Sequence, residues 1–273
     1  MLLAAFTHYP ILATLRDSLL SNPRAGRPAV FVGLDNYHFM AADPVFWQVV
    51  RNNAVFALGT IPASIALALL MAIWVDRRLP ARGLVRLAYF TPTILPMVAV
   101  ANIWLFFYTP QFGLLDQVRQ ALGAAPHNWL GDASTVMGCI IVMTVWKEAG
   151  FFMIFYLAAL QTIPPDLREA ATIEGAGRWT YTRRILLPLL MPTTLFILIN
   201  ALINSVKLID HLFILTKGGP NNASKLILYW IWETAFSFFD RPAAAALTVL
   251  VLAVLGAVAV VQFRGLEKRI HYR

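Results

Sequence analysis

Apolar residues in this chain gather into long runs separated by short polar stretches, the pattern of a protein whose solvent is lipid. Five runs are Ala54–Val75, Leu87–Phe107, Val136–Leu160, Ile185–Leu215 with polar interruptions, and Pro242–Phe263. As helices rising about 1.5 Å per residue, each covers roughly the 30 Å of a bilayer's hydrocarbon. A sixth run, Met1–Leu15, is apolar apart from Thr7 and His8, but is shorter than the roughly 20 residues a span needs. It has neither the basic start nor the small-residue cleavage site of a signal peptide. The expectation is an all-α integral membrane protein, a bundle of about six transmembrane helices that begins within a truncated first helix. No linker, charge block or internal repeat divides the chain, so residues 1–273 read as one domain.

Composition excludes the soluble alternative. Apolar residues make up 59% of the chain and charged residues 13%, against about 45–50% and about 25% in soluble domains. The net charge of +8 has no basic patch interleaved with aromatics behind it, so nucleic acid is not a predicted partner. The cations sit in loops instead, where they hold those loops in the cytoplasm. With six spans, Arg77, Arg78, Arg82, Arg86, Arg168, Arg178, Arg183, Arg184, Arg264, Lys268, Arg269 and Arg273 fall on one side. Arg16, Arg24, Arg27, Arg51, Arg119, Lys217, Lys225 and Arg241 fall on the other. The first, richer set predicts a cytoplasmic side that carries both termini. Lys147 and Lys207 fall within spans.

The stretch from Gln161 to Pro188, QTIPPDLREAATIEGAGRWTYTRRILLP, is longer and more patterned than a connector requires. Pro164-Pro165 ends the fourth span and Asp166 is placed to cap a new helix. Leu167, Ala170, Ala171 and Ile173 give that helix a small apolar face, and Gly175 and Gly177 interrupt it. A second short amphipathic stretch, Trp179–Arg184, leads to Pro188. Two short helices hinged at glycines make a knob suited to a partner's groove.

Glu169-Ala170-Ala171, three residues, Gly175, nine residues, Ile185, one residue, then Leu187-Pro188 matches a known signature at every fixed position. It resembles the EAA loop of the membrane permease subunits of binding-protein-dependent ABC importers. Gly33-Leu34-Asp35-Asn36-Tyr37, followed by Phe46-Trp47 and Asn52-Asn53, is similar to the first external loop of that family's carbohydrate branch. Lys217-Gly218-Gly219-Pro220-Asn221-Asn222-Ala223-Ser224 is similar to its T-x-G-G-P loop, with lysine where glycine is commoner. The resemblance implies a multi-pass protein of a bacterial-type inner membrane. It also implies three kinds of partner: a second similar permease, two copies of a cytoplasmic ATPase and an extracytoplasmic solute-binding protein. On this resemblance Glu169, Ala170, Ala171, Gly175, Ile185, Leu187 and Pro188 couple the ATPase to the spans. The residues suit that role, since alanines allow close helix approach, Glu169 offers a charge and glycine permits the turn.

Polar groups at membrane depth are costly and point to function. Asn200, Asn204, Lys207 and His211 recur at i, i+4, i+7 and i+11 in the fifth span. On one continuous helix they lie within about 60° of one another. Such a stripe suits a polyhydroxylated solute, and equally suits hydrogen bonds between helices. Lys147 and Glu148 in the fourth span point about 100° apart on a helix and do not simply pair with each other. Thr144, Glu148 and Phe151 share a face that can line a cavity, while Lys147 is free to reach a carboxylate on another helix. Asn102 in the third span is a weaker candidate of the same kind.

The chain has no GxxxxGK[ST] phosphate loop, so the resemblance assigns ATP hydrolysis to a separate subunit. No nucleophile–base set suggests an enzyme. The lone Cys139 lies in an apolar run and the five histidines lack ligand spacing, so no metal or cofactor is predicted. Nor does the pattern predict the broken half-helices of many secondary transporters. The reading is half of the pathway of an ATP-driven importer of a sugar or sugar-like solute. Its alternatives are the same machinery importing glycerol-3-phosphate and, remotely, a lipid-modifying membrane enzyme.

Overall fold

A backbone amide that faces lipid has no water to bond to, so a chain of this composition satisfies its amides within helices. In the computed structural model a π-helical turn at Ala4–His8 leads into α1 (Tyr9–Asp17), followed by α2 (Asp35–Ala42) and α3 (Pro44–Val75). Next come α4 (Arg82–Ile94), α5 (Met97–Tyr108), α6 (Leu114–Ala121), α7 (Val136–Thr162), α8 (Asp166–Ile173) and α9 (Arg178–Tyr181). A π turn at Thr182–Leu186 and the single turn α10 (Leu187–Leu189) lead to α11 (Met191–Lys207), α12 (Asp210–Leu215) and α13 (Ile227–Trp232). Another π turn, Glu233–Ser237, precedes α14 (Arg241–Glu267). The structure describes residues 2, 4–23, 28–76 and 82–267, with side chains as far as 261. Of the basic residues used for orientation, Arg24, Arg27, Arg77, Arg78, Lys268, Arg269 and Arg273 lie outside the described residues, as does the side chain of Arg264.

Among the described residues there is no strand, only an isolated bridge between Leu20 and Phe31. Four helical runs there are long and apolar enough to cross a membrane: Pro44–Val75, Val136–Thr162, Met191–Leu215 and Arg241–Val261. The third expected span differs from its sequence reading. Leu87–Phe107 is not one straight helix, because α4 and α5 meet at a bend of 99°. Pro96 is the cause. A proline disfavours helical geometry at the residue before it and offers no N–H to the carbonyl four residues back.

The chain divides into two compact units, one of Met1–Val55, Leu130–Met137 and Val206–Arg273, the other of Phe56–Trp129 and Gly138–Ser205. In the first, Phe46 and Val49 of α3 pack with Ile227 and Trp230 of α13 and Leu247 of α14. Short polar side chains tie its connections to these helices. Asn36 donates to the carbonyls of Ser18 and Leu20, both at 2.8 Å, and the Tyr37 hydroxyl donates to Ser18 Oγ. Asn52 donates to the carbonyls of Asn222 and Lys225 at 2.7 and 3.0 Å. The loop it holds has Lys217, Gly218, Asn221 and Asn222 at positive φ. Lys217, at φ 50°, occupies a left-handed position that glycine fills without steric cost.

In the second unit Ile61, Ala68, Ala72 and Val75 of α3 face Phe152, Met153, Tyr156 and Leu157 of α7, with Leu190, Ile197 and Ala201 completing the core. Buried Asp116, in the first turn of α6, organises the stretch between α5 and α7. It accepts hydrogen bonds from the backbone N–H groups of Gln111 and His127 and from the Trp129 indole. The Gln111 N–H foremost, with the Trp129 and His127 donors, holds its carboxyl below the usual aspartate range. A lowered folded-state pKa stabilises the fold fully above the unfolded value of about 3.9. That contribution is lost as pH falls through the lower folded value. Asp116→Asn is therefore expected to lower the melting temperature at neutral pH and to shrink the loss of stability on acidification. Thermal melts of the purified protein from pH 7 to pH 3 check both.

Candidate functional site

The segment after α7 owes its shape to a helix end. Helix α8 begins directly after Pro165, so Asp166 is its first helical residue and Pro165 holds the cap position assigned above to Asp166. No side-chain hydrogen bond caps that end. The other end closes with paired backbone bonds. Ala176 N–H donates to the Ala171 carbonyl at 2.8 Å and Gly175 N–H donates to the Thr172 carbonyl at 3.1 Å. Gly175 has φ +77°. This is a Schellman closure, and it requires a left-handed residue four positions after the carbonyl that receives the outer bond. The spacing from Ala171 to Gly175 in the signature is thus the spacing of a helix stop.

Ala171 is the buried residue of α8, whereas Glu169 and Ala170 are exposed. Gly177 then caps α9 in extended geometry. Pro188 cannot bond the Arg184 carbonyl, and the backbone widens there: Leu187 N–H reaches back to the Thr182 carbonyl. Ile185 is half-buried, Leu187 and Pro188 are exposed, and Leu186 between them joins the core. A cavity of about 870 Å³ lies behind α8, lined by Ile73, Asp76, Ile163, Ala171, Arg178 and Tyr181 among others. The outer surface carries large apolar side chains: Ile173 is 88% exposed and Trp179 is 74% exposed. Monomer surfaces seldom leave such groups clustered unless something covers them.

The intramembrane candidates separate into three groups. Glu148 of α7 accepts from Asn204 Nδ2 of α11, at 3.3 Å to each carboxylate oxygen. The structure brings these two together. Asn200 bonds within its own helix, to the Phe196 carbonyl, and Asn102 does the same with Val98. The expected single stripe does not survive whole, because α11 ends at Lys207 and His211 belongs to α12. Ile209 leaves helical geometry between them, at φ −122°. Lys147 also departs from expectation. Among the described residues its ammonium meets no carboxylate on another helix, but donates to the carbonyls of Leu95, Pro92 and Thr93 at 2.6, 3.2 and 3.4 Å. Sequence reasoning missed this because the acceptors are backbone groups released by a bend. Pro96, near Pro92 in an apolar run, was the available signal.

Residues 64–272 match the family described as binding-protein-dependent transport system inner membrane component. The chain belongs to that family. A probable starch degradation products transport system permease protein of Thermoanaerobacterium thermosulfurigenes is 31% identical to this inner membrane component, over 88% of this chain and 82% of the relative. The sn-glycerol-3-phosphate transport system permease protein of Agrobacterium fabrum is 29% identical over 100% of this chain and 93% of the relative. Among solved structures, a chain of a bacterial ABC transporter involved in import of the acidic polysaccharide alginate superimposes with a TM-score of 0.87. At 20% identity, over 98% of this chain and 92% of that one, the likeness is one of fold.

The Glu148 neighbourhood is packed without slack. A Cβ placed on Gly150 would collide with the Tyr89 carbonyl of α4, whereas one on Gly138 of the same helix meets nothing within 4 Å. Gly150→Ala is expected to cost about 1–3 kcal/mol, the range for overpacking a close contact. Gly138→Ala should cost no stability, since alanine favours the helix over glycine. Thermal unfolding of the two variants in detergent gives the comparison.

Proposed function

We propose that this chain is one permease half of an ATP-driven importer and forms part of the path of a sugar or sugar-like solute. The solute is delivered by an extracytoplasmic binding protein. The second half is a similar permease, and two ATPase subunits dock beneath. Both compact units belong to a single permease domain over 1–273. α1 with its preceding turn, α3, the bent α4–α5 pair, α7, α11 and α14 are its six crossings, and both termini are cytoplasmic.

The observation that carries the coupling role is the outer surface of residues 161–188. Glu169 and Ala170 are exposed with Ile173 on a helix stopped by Gly175, and Trp179 is exposed on α9. An apolar patch with the acidic Asp166 and Glu169 on a short helix suits a groove in a protein partner. Ile185, Leu187 and Pro188 then carry the motion of α8 into α11. For the solute path, Glu148 and Asn204 offer a carboxylate and an amide to hydroxyl groups. Asn200, Lys207, His211 and Asn102 are the further polar candidates. Lys147 supports this face from behind, since backbone carbonyls hold its ammonium.

The relatives divide over substrate, and glycerol-3-phosphate is the second reading because such a relative covers the whole chain. The engagement of Lys147 and the carboxylate of Glu148 make the α7 face a poor host for phosphate, which favours the sugar. Competition of labelled sugar uptake by glycerol-3-phosphate separates the two readings.

In proteoliposomes holding the complete transporter, Glu169→Lys is expected to lower solute uptake at least about tenfold, a loss of roughly 1.4 kcal/mol or more in the coupling step. Its abundance in the membrane should not change. Wild-type uptake by that variant would remove the coupling role. Glu148→Gln should instead raise the solute concentration needed for half-maximal uptake.

A further inference from the structure

Helix α4 stops at Ile94 and α5 starts at Met97, so the carbonyls of the last turn of α4 lose their regular partners. Pro92 loses its partner outright, because residue 96, which would donate the bond, is a proline. At membrane depth a carbonyl left in this way costs free energy comparable to a lost hydrogen bond. The Lys147 ammonium stands where those groups converge, on Pro92, Thr93 and Leu95. A cation at the carboxyl end of a helix is also favoured by the helix dipole. The contact is reciprocal, since Thr93 Oγ1 donates back to the Lys147 carbonyl at 3.1 Å. One turn further on, Gly150 lets α7 approach the Tyr89 carbonyl more closely than any side chain would allow.

We propose that Lys147 is a positioning residue for transport: its ammonium stands in for the hydrogen bond that Pro96 denies to Pro92 and so sets the bend between α4 and α5. The same turn of α7 carries Glu148, which holds Asn204 of α11. A single helical turn therefore joins the bent segment to the helix that follows residues 161–188. Lys147 governs how fast the path changes shape and makes no contact with solute. This role rests on the reading of Glu148 and residues 161–188 given above.

The test uses the complete transporter in proteoliposomes, with spin labels at the exposed positions Leu87 and Phe106. Lys147→Met is expected to lower maximal uptake about tenfold while leaving the half-saturating solute concentration within about twofold, a loss of about 1.4 kcal/mol from the rate-limiting step. The distance between the labels should broaden and shift, and Lys147→Arg should restore part of both. Wild-type maximal uptake in Lys147→Met, or lost uptake with unchanged label distances, overturns the proposal. If Lys147→Met does not accumulate in the membrane, Lys147→Met with Pro96→Ala decides. Recovered abundance supports the proposal, since alanine returns the missing N–H, and no recovery overturns it. Failure of the wider reading looks different. Glu148→Gln and Glu169→Lys would then transport normally while Lys147→Met still shifted the label distance.

Discussion

Within lipid, every backbone N–H and carbonyl has to find a partner inside the protein, and this constraint decides where the chain can bend. Straight helices meet it without help. The junction between α4 and α5 does not, because Pro96 removes a donor at the point where the helix turns. The ammonium of Lys147 resolves the deficit by donating to three carbonyls at once. On the next residue of α7, Glu148 accepts from Asn204 of α11. One missing N–H thus links the bend to α7, whose next residue makes the polar contact to α11.

Between the long helices the same accounting is met by backbone and short side chains. Helix α8 ends in two reciprocal amide bonds that need a left-handed residue, and Gly175 supplies it. Asp116 gathers three donors from a stretch with little regular structure of its own. Asn36 and Asn52 close connections by donating to carbonyls that no helix would satisfy. A short segment gains a definite shape in each case because its polar groups have one good arrangement. A shape held this way keeps side chains such as Glu169, Ile173 and Trp179 exposed.

Much of this was legible in the residues. The apolar runs located the crossing helices, and the signature from Glu169 to Pro188 placed the chain in its family. That signature is readable because helix stops and proline entries are local events, complete within a few residues. The lysine at position 217 stood out as a departure from the loop pattern the chain resembles, and the structure places it at positive φ. Reasoning failed where the outcome depended on distant groups. The stripe from Asn200 to His211 presumed a continuous helix, and nothing in its spacing announces that α11 stops at Lys207. Asp116 drew no notice, since its three partners are two backbone amides and an indole spread over residues 111–129.

The sequence alone determined the solvent, the approximate spans, the family and the helix stop at Gly175, because hydrophobic length and local capping are written in consecutive residues. Tertiary structure decided the 99° bend and the partners of Lys147, Glu148 and Asp116. A charge within a low-dielectric interior binds whichever unpaired group the fold brings beside it. Which carbonyls are unpaired is settled only when separate helices meet.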